Sequence, residues 1–293
     1  MLKYLSILVT TLGYMVASPL YAQGLPGNDV WLLSITEGIP GKPVKISTGD
    51  GYNNQAHFSA DGTALFYTRE LGKGDISQTD IAAYDISTST TRMVNQTLEN
   101  EYSPTPIPGR NAVSVIQTEA DQKQRLWAID IDSGEMELLL PLVEPVGYHA
   151  WINSKEVAMF ILGESFSLQT ASLENSKLKM IADNIGRSIR KHPQSGEILF
   201  VDKQREPWQI AAWDPATGQI RGVMPLFPGS EDFTIDAKGD YWTGNGSKLY
   251  RRSPGDRRWS LVADYSAAGI NNISRLAIHL GSGRMALVSD SSE

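Results

Sequence analysis

Four histidines, several turn aspartates and a recurring set of tyrosines, arginines and acids are the residues of this 293-residue chain best able to do chemistry. His57, His149, His192 and His279 offer neutral imidazoles, the commonest metal ligands in proteins. Asp130–Glu135, "DIDSGE", alternates carboxylates and glycine as a calcium loop does, yet it lacks the later acidic ligands such a loop needs. "DPATGQ" at Asp214–Gln219 has the same character, so both are read as turns in which Asp caps the backbone and Gly accepts positive φ. The chain has no cysteine, which excludes disulfides and thiolate metal sites. It has no Gly-x-Ser-x-Gly elbow and no His-Glu-x-x-His pair, and "GNGSK" (Gly244–Lys248) reads as a hairpin rather than a phosphate loop. No catalytic constellation, metal set or cofactor site is read from these residues.

The elements that position them repeat. "TALFYT", "NAVSVIQ", "EVAMFIL", "EILFVD", "GDYWTG" and "RMALVS" are short apolar strands, and Leu65, Ser114, Ala158, Leu199, Tyr241 and Ala286 in them are spaced by 49, 44, 41, 42 and 45 residues. Several strands per unit at a period of about 40–50 is the pattern of a β-propeller. A third strand ("DIAAYDI", "RLWAIDI", "QIAAWDP", "KLYRRSP") and a fourth ("TRMV", "EMELLL", "KLKMIA", "QIRGVM", "WSLVAD") follow in order. After "RMALVS" the last unit lacks its outer strands, and "DVWLLSI" (Asp29–Ile35) with "KPVKIST" (Lys42–Thr48) supplies them. The expectation is an all-β, six-bladed β-propeller at 23–293, closed by N- and C-terminal strands sharing one blade, which removes an exposed sheet edge.

In that frame all four histidines fall on first strands. His192 and His279 align with the packing position of Phe58, Ile107, Trp151 and Ile235, while His57 and His149 fall one and two residues earlier, so the four form no single ring. Tyr84, Trp127, Trp213 and Tyr250 share one place on third strands and read as packing between blades. The loops entering the first strands cluster at one mouth of the central channel. They and the strand starts carry Tyr52, Asn54, Tyr102, Tyr148, Arg187, Arg190, Glu231, Asp232 and Arg275, the expected binding residues, since Tyr and Arg dominate binding hot spots and loops on rigid scaffolds carry sites.

Lys3, an apolar run from Leu5 to Ala17, then Ser18, Pro19 and a small residue at Ala22 read as a secretory signal peptide over 1–22, the run too short to span a bilayer comfortably. Its removal takes one positive charge and moves the net charge from −7 to −8, leaving a chain expected in the periplasm or secreted, with no membrane segment. Acidity without a basic cluster argues against nucleic acid as a partner.

"HFSADGTALFYT" (His57–Thr68), with its weaker echoes "KHPQSGEILFV", "TIDAKGDYWTG" and "AIHLGSGRMALVS", resembles the propeller repeat of the TolB-like proteins. The resemblance covers the propeller part only. The family's namesake carries an α/β domain ahead of its propeller, whereas here blade strands begin at Asp29, so that protein's role is not carried over. Two functions follow as expectations. The preferred one is a protein- or peptide-binding module using the loop-lined mouth. The alternative is a hydrolase or lyase acting on a sugar or lactone in the channel, with Asn54, His149, Glu231 and Asp232 as candidates.

Overall fold

The computed structural model describes residues 25–49, 51–72 and 77–291; the signal-peptide expectation lies outside them. Six small antiparallel sheets stand around a central channel as a six-bladed β-propeller. Blade 1 runs Asn53–Phe58, Ala64–Leu71, Gln78–Asp85 and Thr90–Met93; blade 2 runs Asn100–Pro106, Ala112–Thr118, Gln124–Asp130 and Met136–Leu138. Blade 3 comprises Val146–Trp151, Glu156–Ile161, Ser167–Ser172 and Leu178–Asp183. Blade 4 comprises Ile185–Lys191, Ile198–Asp202, Gln209–Trp213 and Ile220–Pro225. Blade 5 comprises Thr234–Ile235, Tyr241–Asn245, Lys248–Arg252 and Ser260–Asp264. Blade 6 joins Ile273–His279 and Arg284–Asp290 to the N-terminal strand Asn28–Thr36, whose outer edge pairs with Val44–Lys45.

The second strands read as unbroken apolar runs because both of their faces are buried. Leu65 and Tyr67 pack with Val30 and Val288 of blade 6, while Phe66 between them packs with Val113 and Val115 of blade 2. The same two-sided burial recurs around the ring, giving one apolar cluster at each blade-to-blade interface. The turn after the first strand is fixed by Asp61, whose carboxylate accepts from Ser59 Oγ (2.7 Å) and Thr63 N (3.0 Å). Gly62 follows at φ +72, and a Cβ there would sit 2.4 Å from the His279 ring, so both conformation and space require glycine.

Two alignments read from the sequence need correction. His192, just past the end of its strand, and His279, the last residue of its own, are half-buried groups tied to the turns that follow: His192 Nδ1 accepts from the N–H groups of Gln194 and Ser195 (3.2 Å each), and His279 Nδ1 lies 2.9 Å from Ser282 Oγ. The third-strand aromatics occupy two levels, not one. Tyr84 pairs with Leu65 and Trp213 with Ile198, at the turn end of their second strands; Trp127 pairs with Val115 and Tyr250 with Thr243, two residues further along. The "DIDSGE" segment is a turn in which Asp130 Oδ1 accepts from Asp132 N (3.0 Å) and Ser133 N (2.8 Å).

Blades 1 and 2 also enclose two carboxyl groups, Asp80 and Glu101, each 0% exposed. Asp80 accepts from Thr97 N and Gln78 Nε2 (2.9 Å each), and Glu101 Oε1 accepts from Thr97 Oγ1 (2.7 Å) and Gln117 Nε2 (2.9 Å). Glu101 Oε2 has no donor. Burial first, and then the neighbouring Asp80, push the Glu101 carboxyl up to about 8, so Glu101 holds its proton at neutral pH.

Candidate functional site

The inner strands make the site by departing from regular pairing. In five of the six the register against the second strand slips at one common level: between Asn54 and His57, Tyr102 and Thr105, Val146 and Tyr148, Ile185 and Ile189, and Ile273 and Arg275. In blade 5 the inner strand starts only at Thr234, leaving Asp232 at that level outside the ladder. Bulges re-aim side chains, and these turn Gln55, Ser103, Tyr148, Arg187, Ser188, Asp232 and Arg275 into the channel. Gln55 (φ +56) and Ser103 (φ +59) hold left-handed backbone there, a conformation disfavoured for both residue types.

The cavity they line is about 50 Å³, and a second, larger one of about 270 Å³ lies below it toward the opposite face. His57, Thr105, His149, Ile189 and Arg190 border both, which places them at the waist. Arginines bar the upper half. Arg275 of blade 6 reaches the diametrically opposite blade 3, where its guanidinium donates to Tyr148 Oη (2.8 Å) and lies 5.0 Å from that ring's centre. Arg187 of blade 4 passes blade 5 to donate to Ser274 O (3.1 Å), and Arg190 does likewise to Leu276 O (3.1 Å).

Charge in this chamber is unbalanced. Asp232, the one carboxylate lining it among the described residues, is saturated by Ser188 Oγ (2.7 Å), Phe233 N (2.9 Å), Leu276 N (3.1 Å) and Arg190 (3.2 Å). Arg187 and Arg275 have no carboxylate within ion-pair distance among the described residues. Tyr52 and Tyr102 stand beside them, their rings edge-on at 6.3 Å. Burial pushes the Tyr52 phenol well above its ordinary value despite the nearby Arg275 and Arg187 charges, so it stays protonated and can donate.

At the waist, Ser114 Oγ lies 2.6 Å from His149 Nε2, accepts from Trp151 Nε1 (2.9 Å) and is 3.0 Å from Thr105 O. Its single proton goes either to Thr105 O or to His149, and the imidazole tautomer follows. His149 Nδ1 has no partner. Burial pulls His149 down to about 3 and His57 to about 4, so both rings are neutral at pH 7. Of the buried side-chain polar atoms that lack a partner among the described residues, three belong to residues lining this one chamber: Ser103 Oγ, His149 Nδ1 and Arg187 Nε.

Tyr148, Arg187, Arg190, Asp232 and Arg275 thus meet in one cavity with Tyr52 and Tyr102 alongside. Asn54 and Glu231 are committed elsewhere: Asn54 Nδ2 donates to Asn28 Oδ1 (3.0 Å), and Glu231 accepts from Lys203 (2.5 Å). Asn54, His149, Glu231 and Asp232 therefore do not converge on one point. Gln55, His57, Ser103, Thr105 and Ser188 join the chamber without having been singled out as binding residues. Strand position was the available signal for His57, Thr105 and Ser188, whereas Gln55 and Ser103 reach the chamber only through the register slips.

Compared by sequence, the chain matches no protein-family model and no curated protein. Among solved structures it resembles TolB from Acinetobacter baumannii at 13% identity and TM-score 0.56, covering 91% of this chain and 65% of that one. It also resembles a TolB structure from Agrobacterium tumefaciens (11% identity, TM-score 0.63, 92% and 100% covered). A third likeness is to oligogalacturonate lyase from Vibrio parahaemolyticus (15% identity, TM-score 0.56, 76% and 69% covered). At such identities the likeness is one of fold.

Proposed function

We propose that this propeller is a binding module of the cell envelope that receives a protein or peptide partner at its loop-lined mouth. The observation that carries the reading is the convergence of three orphaned buried polar atoms and two arginines without carboxylate partners on one small cavity at the centre of that mouth. A folded protein leaves buried donors unpaired at a cost of about 1–3 kcal/mol each, and a ligand group is one way to satisfy them. Size supports the same reading. About 50 Å³ holds three or four water-sized groups, at roughly 10–15 Å³ each, and so admits the tip of a side chain rather than a sugar ring.

Crosslinking from the mouth, with a photoreactive residue in place of the half-buried Tyr102, tests this in the native envelope. One partner recovered near stoichiometrically, and lost on Arg187→Glu, is the expected result; recovery unchanged by Arg187→Glu removes the mouth from the reading. A second reading, a hydrolase or lyase acting on a sugar or lactone, is favoured by the two neutral imidazoles above the larger lower cavity and by the structural likeness to oligogalacturonate lyase. Turnover of uronides or lactones that is lost in His149→Gln would establish it.

A further inference from the structure

We infer that the upper chamber is a receptor for a single carboxylate group, held between Arg187 and Arg275 with the hydroxyls of Ser103 and Tyr148. This deepens the binding reading above and rests on it for the source of the carboxylate. The groups facing the cavity are mostly donors. Arg187 Nε–H has no acceptor, and Arg187 spends one of its other nitrogens on Ser274 O. The Ser103 hydroxyl is unpartnered in a residue 8% exposed. Tyr148 Oη accepts from Arg275, which leaves its own proton to give. Gln55 Oε1 is occupied by Thr68 Oγ1 (2.9 Å) and Ser103 N (3.0 Å), so its amide N–H groups remain.

His149, 7% exposed, completes the set by changing tautomer. With the Ser114 proton on His149 Nε2, the ring carries its own proton on Nδ1 and presents a further donor to an anion; with the Ser114 proton on Thr105 O it presents a lone pair. A chamber so rich in donors, with three guanidiniums against one saturated carboxylate, selects an anion. A carboxylate has the planar geometry that arginine matches, and its three heavy atoms fit about 50 Å³.

Calorimetric titration of the mature protein at constant ionic strength tests this, with acetate against acetamide and with a glycine tripeptide acid against its C-terminal amide. The acids are expected to bind and the neutral analogues are not. A tripeptide acid tighter than acetate identifies a peptide carboxylate as the source, and equal affinities identify a free small acid; both support the receptor. Arg187→Gln should weaken the acids about tenfold or more, the value of one charge-assisted hydrogen bond. Ser103→Ala loses no contact of the folded protein, so it keeps the fold and should lower affinity severalfold. Acetamide binding as well as acetate, or both variants binding acetate as the unmodified protein does, overturns the inference. Partner capture through the mouth without any acetate binding would defeat the carboxylate site and leave the binding module standing; acetate binding without a captured partner would do the reverse.

Discussion

Raising the pH from 6.5 to 8 should destabilise this protein through a single proton. The Glu101 carboxyl, held up at about 8 by burial and by Asp80, ionises near 4.5 in the unfolded chain. A raised folded-state value means that the stabilisation is complete below 4.5 and is lost as pH climbs through 8. Over the lower part of that range the buried His57 and His149 oppose it, because their folded values of about 4 and 3 lie below the 6.5 of the unfolded chain. At pH 6.5 each imidazole is still half protonated in the unfolded chain, so the two rings go on opposing Glu101 over the first unit above 6.5. At about 1.4 kcal/mol per proton and pH unit, Glu101 loses roughly 1.6 kcal/mol between pH 6.5 and 8 and the two rings return roughly 0.8, a net loss of about 1 kcal/mol, or about 2–3 °C of Tm for a chain of this size. Urea unfolding at pH 6.5 and 8 measures it directly. Glu101→Gln keeps an acceptor for Thr97 and Gln117 and gives Asp80 a donor, so its stability should rise slightly across the window, by somewhat under 1 kcal/mol from the two rings, instead of falling. A native protein equally stable at both pH values, or a Glu101→Gln variant with the same slope, refutes the account of a buried, protonated Glu101.

Acidification should act through the two channel histidines. Their depressed values mean stability present above 6.5 and lost as pH falls toward 4, and the loss should be steeper in Glu101→Gln, which lacks the opposing carboxyl; an unchanged Tm for that variant between pH 6.5 and 5 would show that the rings do not resist protonation. Leu287→Ala empties a fully buried site between blades 5 and 6, beside Met285, Trp242 and Ile273. It should cost about 2–5 kcal/mol in urea unfolding, and a loss under about 1 kcal/mol would mean that this interface is loosely packed.

The blades were legible because their apolar runs repeat, and the closure of blade 6 because "DVWLLSI" has the third-strand pattern that the C-terminal unit lacks. The site was half legible. Tyr148, Arg187, Arg190, Asp232 and Arg275 could be placed from loop position alone. Gln55 and Ser103 could not, because they reach the channel through bulges and positive φ that polar residue types do not announce. His192 and His279 were misplaced by one residue because the turn glycine shifts: Gly62 lies three residues before Leu65, but Gly196 and Gly283 lie two before Ile198 and Met285, the residues at the same level. The Asp80–Glu101 pair joins different blades, and only packing brings its members together.

The seam in blade 6 has a kinetic consequence. Asn28 and Asp290, hydrogen-bonded side chain to side chain at 3.3 Å, are 262 positions apart. Joining segments so distant costs roughly 5 kcal/mol of chain entropy before any contact compensates it, so the seam should zip last and slowly. Until it does, Arg284–Asp290 presents a bare strand edge open to other chains. The chamber draws residues from five inner strands and, through Asp232, from the segment leading into the sixth, so an unzipped ring has no closed chamber. Binding competence would then report that folding is complete, and a partner could engage only finished molecules.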